Sequence, residues 1–112
     1  MLPFEAGDKT LLIEVLHPKN DHLQIGYSLA HASLEVGQSS LPHILNKCSE
    51  AYYILKGEGR IIVDQEATNV KENDVIVVPA GATQYVENTG IDKLEFLCIV
   101  SPAWFPEQEE IL

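Results

Sequence analysis

The chain has 112 residues, and its 7 Lys and Arg against 17 Asp and Glu give a formal net charge of −10. A chain of this length forms one domain, which we take to span residues 1–112. The negative charge repels phosphate groups, so we expect neither nucleic acid nor an anionic membrane as a partner. No apolar run approaches the roughly 20 residues that cross a bilayer, and residues 1–12 lack the pattern of a secretion signal. Since Cys48 and Cys98 form no CxxC pair, we expect a reduced, cytoplasmic protein.

The chain is a succession of short apolar runs separated by turn residues. The first run, TLLIEVL (Thr10–Leu16), ends at a turn cluster in residues 17–21. A longer run, HLQIGYSLAHASLEV (His22–Val36), contains one glycine and is followed by another. The segment AYYILKGEGRIIVD (Ala51–Asp64) holds two β-rich runs joined across Gly57–Gly59, which predicts a β-hairpin.

Three more runs complete the pattern: NDVIVVPAG (Asn73–Gly81), ATQYVENTG (Ala82–Gly90) and DKLEFLCIVSP (Asp92–Pro102). Short runs rich in Val, Ile and Tyr favour strands over helices. About nine or ten strands in one small domain predict a sandwich or a barrel. We expect one helical turn near Pro106–Glu110, where a proline precedes acidic residues, and the tail PEQEEIL is otherwise expected to be a solvated end.

Two groups of residues at fixed spacings resemble the two sequence motifs of the cupin superfamily. The first motif is glycine, His-x-His, glutamate and glycine, and its matches are Gly37, His43, Glu50 and Gly57. The second is glycine, Pro-x-Gly, histidine and asparagine, and its matches are Pro79, Gly81 and Asn88. The departures are Leu45 and Gln84 in place of two histidines and Asn73 in place of a glycine. The resemblance implies an all-β jelly-roll barrel, the double-stranded β-helix, which is often dimeric and has an interior pocket.

The resemblance also implies a metal site. Cupins with the full set bind one divalent ion through three histidines and a glutamate, and this chain keeps His43 and Glu50 and offers Gln84 at the third histidine position. Imidazole and carboxylate are good ligands for first-row divalent ions, whereas an amide oxygen is weaker. Three protein ligands can hold a catalytic ion with water in an open position. We therefore predict a weak site of His43, Glu50 and Gln84 for zinc, nickel, manganese or iron, with Leu45 as an apolar wall.

Two further residues are candidates for a substrate pocket. Alternation along a strand places Tyr52 on the same inner face as Glu50. The same alternation leaves open whether His31 points inward, where it would add a ligand, or lies on the outer face of the barrel. The metal-free alternative is a hydrogen-bonded pair of His43 and Glu50, because a buried carboxylate needs a partner. In that case Gln84 would hydrogen-bond its neighbours in the barrel.

Three functions follow from these alternatives. The first is a small cupin that binds a divalent metal and a small polar organic molecule. The second is a metal-free module that binds a small ligand in the same pocket, and the third is a sugar isomerase or epimerase with His43 as the base. The residues leave open whether the chain is an enzyme, and we expect a homodimer. His17 and His22 flank a turn and are expected to be exposed, while Trp104 is expected to cover the barrel or a subunit contact.

Overall fold

A computed structural model describes residues 4–5, 8–21 and 24–112, and these residues form an all-β protein. The eleven strands are β1 (Phe4–Glu5), β2 (Leu11–Leu16), β3 (Ser28–Leu34), β4 (His43–Leu45), β5 (Ser49–Lys56), β6 (Gly59–Val63), β7 (Glu66–Val70), β8 (Val75–Val78), β9 (Thr83–Asn88), β10 (Leu94–Ser101) and β11 (Glu109–Ile111). Two helical segments accompany them, Pro18–Asp21 and a 3-10 turn at Pro106–Gln108. Within the described part of the chain, neither helix has the length and apolar character needed to cross a bilayer.

The strands form two antiparallel sheets that face each other across one core. The first sheet has the order β1-β2-β3-β10-β5-β8, and the second has the order β11-β4-β9-β6-β7. Side chains alternate between the core and the surface along β9 and β10, as expected for strands with one buried face. The core combines Ile54 and Phe96 from the first sheet with Ile61 and Val86 from the second. This architecture confirms the predicted jelly-roll barrel.

The predicted hairpin across Gly57–Gly59 is wrong. The two strands that flank this turn, β5 and β6, belong to different sheets, so the chain crosses the barrel there instead of folding back on itself. A two-residue hairpin does occur between β6 and β7, where Asp64 and Gln65 have positive φ angles of 47° and 73°. Such a turn is usually marked by glycine, and the absence of glycine at these positions hid it from the sequence.

The C-terminal segment is largely exposed, as the sequence predicted, but it also pairs with the barrel. The helical turn covers Pro106–Gln108 only, and the chain then forms β11, which pairs antiparallel with β4. In this pairing Ile111 lies opposite His43 and Glu109 lies opposite Leu45. The backbone pairing brings an acidic side chain to the edge of the barrel interior, although nothing in the local sequence distinguishes it from a surface residue.

The expectation that His17 is exposed is wrong. This buried histidine holds the residues that precede the C-terminal segment. His17 is buried, and its Nε2–H donates to the carbonyl oxygen of Trp104 at 2.6 Å while its Nδ1 accepts the backbone N–H of Lys19 at 3.1 Å. Its ring also meets the edge of Phe105, with centroids 4.9 Å apart. These contacts hold Trp104 against the interior pocket, which agrees with the expectation that Trp104 covers the barrel. His22 lies outside the described residues.

Close packing between β6 and β9 leaves no room for a side chain at Gly59. A Cβ atom there would lie 2.6 Å from the carbonyl oxygen of Glu87 and 2.8 Å from Cδ2 of Leu94. We expect Gly59→Ala to lower the free energy of unfolding by about 1–3 kcal/mol, because the strand must move to admit the methyl group. Gly26→Ala is the matched control, since nothing lies within 4 Å of its added Cβ. Urea unfolding followed by circular dichroism measures both; equal stabilities for the two variants would contradict the packing argument.

Candidate functional site

The interior pocket lies between the two sheets, at the end of the barrel near Trp104. It has a volume of about 60 Å³, enough for a few waters or for an ion with a small ligand. One wall is apolar and is formed by Leu12, Leu45, Val86, Phe96 and Val100. The acidic side chains that line it are Asp8, Glu14, Glu50 and Glu109. Among the described residues that line the pocket there is no lysine or arginine, so the pocket attracts cations and repels anions.

His43 points into this pocket from β4 and is only 3 % exposed. Its Nδ1 lies 2.9 Å from the carbonyl oxygen of Leu41, so the neutral ring donates its Nδ1–H to that carbonyl and keeps a lone pair on Nε2. Among the described residues, this ring contacts the Leu41 carbonyl and the Asp8 carboxylate, and both contacts involve Nδ1. No fully buried side-chain nitrogen or oxygen in the described residues lacks a hydrogen-bond partner, so Nε2 opens onto the cavity. A fixed ring with a free Nε2 suits either an ion or a proton.

Two carboxylates stand beside His43. Oδ2 of Asp8 lies 3.8 Å from Nδ1 of His43, while Oδ1 of Asp8 accepts from the backbone N–H and the hydroxyl of Thr10 at 3.2 Å and 2.7 Å. Glu109 comes from β11. Asp8, His43 and Glu109 each offer one atom that could bind a metal ion, and these three atoms lie within 4.8 Å of one another. Burial raises the pKa of Glu109, and the charge of Asp8 raises it further, whereas His43 opposes the shift. The two carboxylates therefore repel each other in the absence of a cation.

A second group of polar residues occupies the deeper part of the pocket. The Tyr52 hydroxyl donates a short hydrogen bond to Oε1 of Gln84, and both residues are buried. Burial raises the pKa of the Glu50 carboxyl to about 8; hydrogen bonding to Cys98 and Tyr52 lowers it, and the charge of Asp8 raises it. The Tyr52 hydroxyl thus contacts Gln84 on the opposite sheet and Glu50 on its own strand. Burial has the largest effect on the Glu50 carboxyl, so this group keeps its proton to a higher pH than an exposed glutamate does.

Of the three predicted metal ligands, two line the pocket and one does not. His43 and Glu50 line the same pocket, and Gln84 is the direct cross-strand partner of His43 in the pairing of β4 with β9. Gln84 is buried against Tyr52 and is not among the residues that line the cavity. The recorded side-chain partners of Glu50 are Cys98 and Tyr52, so the hydrogen-bonded pair of His43 and Glu50 is not formed. Whether His43, Glu50 and Gln84 share an ion stays a prediction.

The two pocket candidates fall on opposite faces of the sheet. Tyr52 points inward and lines the pocket, as the alternation along β5 predicts. His31 lies outside the pocket, because Ala30 is the inward residue of this part of β3. The Nε2 atom of His31 is 3.3 Å from Oε1 of Glu95, on the neighbouring strand β10. His31 therefore contributes a surface ion pair and no ligand to the pocket.

Sequence reasoning missed Asp8 and Glu109. Neither residue belongs to the motifs, and both reach His43 through tertiary pairing. For Asp8 the available signal was Asp-x-Thr at residues 8–10, a pattern in which the aspartate side chain folds back on the backbone. For Glu109 the local sequence carried no such signal, because the residue stands in an acidic run and reaches the pocket only through the pairing of β11 with β4.

Comparison with known proteins agrees with the fold. The family model described as a cupin domain matches residues 30–100. An uncharacterised protein of Methanocaldococcus jannaschii is 36 % identical over 110 residues, which cover 98 % of this chain and 87 % of that protein. An oxalate-binding protein of Thermotoga maritima is 39 % identical over 51 residues, 46 % of this chain and 42 % of that protein. A crystal structure described as a predicted oxalate decarboxylase of the same organism has a TM-score of 0.75 and 29 % identity, and covers 83 % of this chain and 80 % of that chain.

The raised pKa of Glu50 predicts that folding stability falls as the pH rises. The ordinary pKa of 4.5 applies to the unfolded chain and a pKa of about 8 to the folded one, so between these values only the folded protein keeps this proton. The resulting loss of stability between pH 4.5 and pH 8 is at most about 5 kcal/mol. Glu50→Gln removes this proton and should flatten the dependence, while Glu72→Gln on the surface should not. Urea unfolding from pH 5 to pH 8 with a chelator present measures the effect; parallel pH profiles for wild type and Glu50→Gln would refute it.

Proposed function

The chain belongs to the cupin family, and from this we propose that its pocket binds a divalent metal ion together with a small, oxygen-rich organic ligand. The observation that carries the proposal is the composition of the cavity. It is lined by His43 and by four acidic side chains, and by no lysine or arginine among the described residues. Such a cavity is suited to a cation, and the donors are those that first-row divalent ions prefer.

The residues present fit such an ion. His43 is the anchor of every ligand set that the cavity offers, because its ring is held by Leu41 and its Nε2 is open. The motif-derived set adds Glu50 and Gln84 to His43, and zinc, nickel, manganese and iron are all compatible with imidazole and oxygen ligands. When bound, the ion would supply a Lewis acid that attracts and polarises the oxygen atoms of a ligand. Leu45 closes one side of the cavity with an apolar surface.

Oxalate is the ligand that we propose to test first. Similar proteins of Thermotoga maritima carry the names oxalate-binding protein and predicted oxalate decarboxylase. Oxalate is a dianion at neutral pH, and a cavity lined by carboxylates repels a dianion unless a cation is present. Oxalate binding by this chain should therefore depend completely on the metal. The cavity of about 60 Å³ also favours a ligand of this size over a sugar.

The metal-free alternatives rest on the same residues. A neutral His43 with an open Nε2 is also what a general base requires, and the protonated Glu50 could serve as an acid. Under either alternative a small neutral ligand would bind without an ion. The response to metal removal separates these alternatives from the metal-dependent function.

Calorimetry on chelator-treated, dialysed protein tests the proposal. We expect Zn²⁺ and Mn²⁺ to bind to the wild type, and oxalate to bind only to metal-loaded protein. His43→Ala should abolish metal binding, because His43 supplies the one imidazole among the described residues that line the cavity. His31→Ala is the matched control and should bind metal as the wild type does, since His31 lies outside the cavity. The absence of metal binding, or equal oxalate binding with and without metal, would overturn the proposal.

We further propose that the chain is a homodimer. The edge strand β8 presents two exposed valines, Val75 and Val77, with 54 % and 65 % of their surface accessible. An exposed apolar edge strand is a site for pairing with another chain. Light scattering at micromolar concentration should give a dimer mass, and Val77→Lys should shift it to a monomer while Val36→Lys, in the loop after β3, should not. A monomer mass for the wild type would contradict this assembly.

A further inference from the structure

We propose that the ion is held by Asp8, His43 and Glu109, displaced within the cavity from the motif positions Glu50 and Gln84. This inference rests on the proposed metal-binding function and names the ligands of that same site. The three ligands would come from the loop before β2, from β4 and from β11. The ligand class is a divalent cation that accepts one imidazole and two carboxylates, such as Mn²⁺, Zn²⁺ or Fe²⁺.

The distances suit a shared ion. Donor-type atoms of Asp8, His43 and Glu109 lie within 4.8 Å of one another. Two ligand atoms that share an ion at about 2.1 Å each are at most about 4 Å apart, so the three side chains need to approach one another by about 1 Å. Oδ2 of Asp8 lies 3.8 Å from Nδ1 of His43, so Asp8 must also turn toward the Nε2 side of the ring to share an ion bound there. Two of the side chains are already restrained, because Thr10 holds Oδ1 of Asp8 and Leu41 holds Nδ1 of His43.

The arrangement around His43 is the second, independent observation. His43 is 97 % buried, as its exposure of 3 % shows, and its Nε2 has no partner among the described residues. Ring nitrogens that bind metal ions are usually oriented by a hydrogen bond from the other ring nitrogen to a carbonyl or a carboxylate. Here Nδ1 is 2.9 Å from the Leu41 carbonyl oxygen. The same ring stands beside two carboxylates that no described basic residue of the cavity neutralises.

The motif positions are less available to an ion. Oε1 of Gln84 already accepts a hydrogen bond from the Tyr52 hydroxyl. If Gln84 turned this oxygen to an ion, the buried hydrogen bond between Tyr52 and Gln84 would break, which costs free energy in an interior. Glu50 in turn is engaged with Cys98 and Tyr52. Binding at Asp8 and Glu109 leaves these contacts intact, and Glu109, which accepts a hydrogen bond from Trp104, has a second carboxylate oxygen for the ion.

Matched amide substitutions test the ligand set. Asp8→Asn and Glu109→Gln each remove one carboxylate at nearly constant size, and the Asn side chain can still accept from Thr10. By calorimetry with Mn²⁺ and Zn²⁺, we expect each to weaken binding at least about tenfold, since even residues that only orient a ligand affect affinity by this much. Glu110→Gln, the exposed neighbour on the same strand, is the control and should bind as the wild type does. Circular dichroism and urea unfolding establish that every variant is folded.

The motif-derived set makes the opposite prediction. If Glu50→Gln and Gln84→Met weaken binding at least tenfold while Asp8→Asn and Glu109→Gln do not, the inference is overturned and the metal-binding function stands. If the wild type binds neither ion, both the function and the inference fail. If Asp8→Asn and Glu109→Gln weaken binding and the two motif variants change it by less than about threefold, the inference is supported.

Amide hydrogen exchange tests separately whether Glu109 binds the ion. The strand β11 is a three-residue strand at the edge of its sheet, and in the described part of the chain it pairs with β4. A metal ligand on this strand should restrain it, so Zn²⁺ should slow amide hydrogen exchange of the peptide that contains Glu109–Ile111. The slowing should disappear in Glu109→Gln and persist in Glu110→Gln. Equal slowing in both variants would contradict ligation by Glu109.

Discussion

Enclosure of Glu50 and Tyr52 between the two sheets governs the chemistry of the barrel interior. The hydrogen bond from Tyr52 to Gln84 joins β5 of one sheet to β9 of the other, across the core that the sheets enclose. Burial raises the pKa of the Glu50 carboxyl to about 8, against the opposing effect of its hydrogen bonds to Cys98 and Tyr52. The packing of the two sheets thus favours the neutral form of a carboxyl group that would be charged in water.

This arrangement divides the cavity into two chemically different parts. Glu50, Tyr52 and Gln84 form a buried group that is linked by hydrogen bonds through Tyr52. Asp8 and Glu109 are less buried and meet His43 without any basic residue among the described lining of the cavity. A neutral network needs no ligand to be stable, whereas a pair of like charges does. The negative charge of the pocket is therefore concentrated where an ion can compensate it.

The fold could be predicted from the sequence because several motif residues are of the types that particular backbone conformations favour. Gly37 and Gly81 have φ angles of 79° and 85°, which favour glycine. Asn73, which departs from the motif, has a φ of 72° and takes up the same left-handed conformation, so the departure leaves the turn intact. Asn88 joins the end of β3 to the loop before β10, since its amide donates to the carbonyls of Leu34 and Asp92.

The site was less predictable because its chemistry depends on which strands meet. The inward direction of Tyr52 followed from alternation along one strand, which is a local property. Glu109 reaches His43 only because β11 pairs with β4, and a run of acidic residues gives no sign of such a partner. The hairpin expected at Gly57–Gly59 failed for the same reason. A pair of glycines predicts a turn, but it does not say which sheet receives the next strand.

The pairing of β11 with β4 also links the pocket to the cooperativity of folding. Asp8, His43 and Glu109 are far apart in sequence, and they meet only when the loop before β2, β4 and β11 are all in their native positions. A cation that recognised all three would have almost no affinity for an unfolded or partly closed chain. Its binding energy would then add to the free energy of the entire barrel, in proportion to the logarithm of its concentration above the dissociation constant. The concentration of free metal would then set the folded fraction of the protein as well as the occupancy of the pocket.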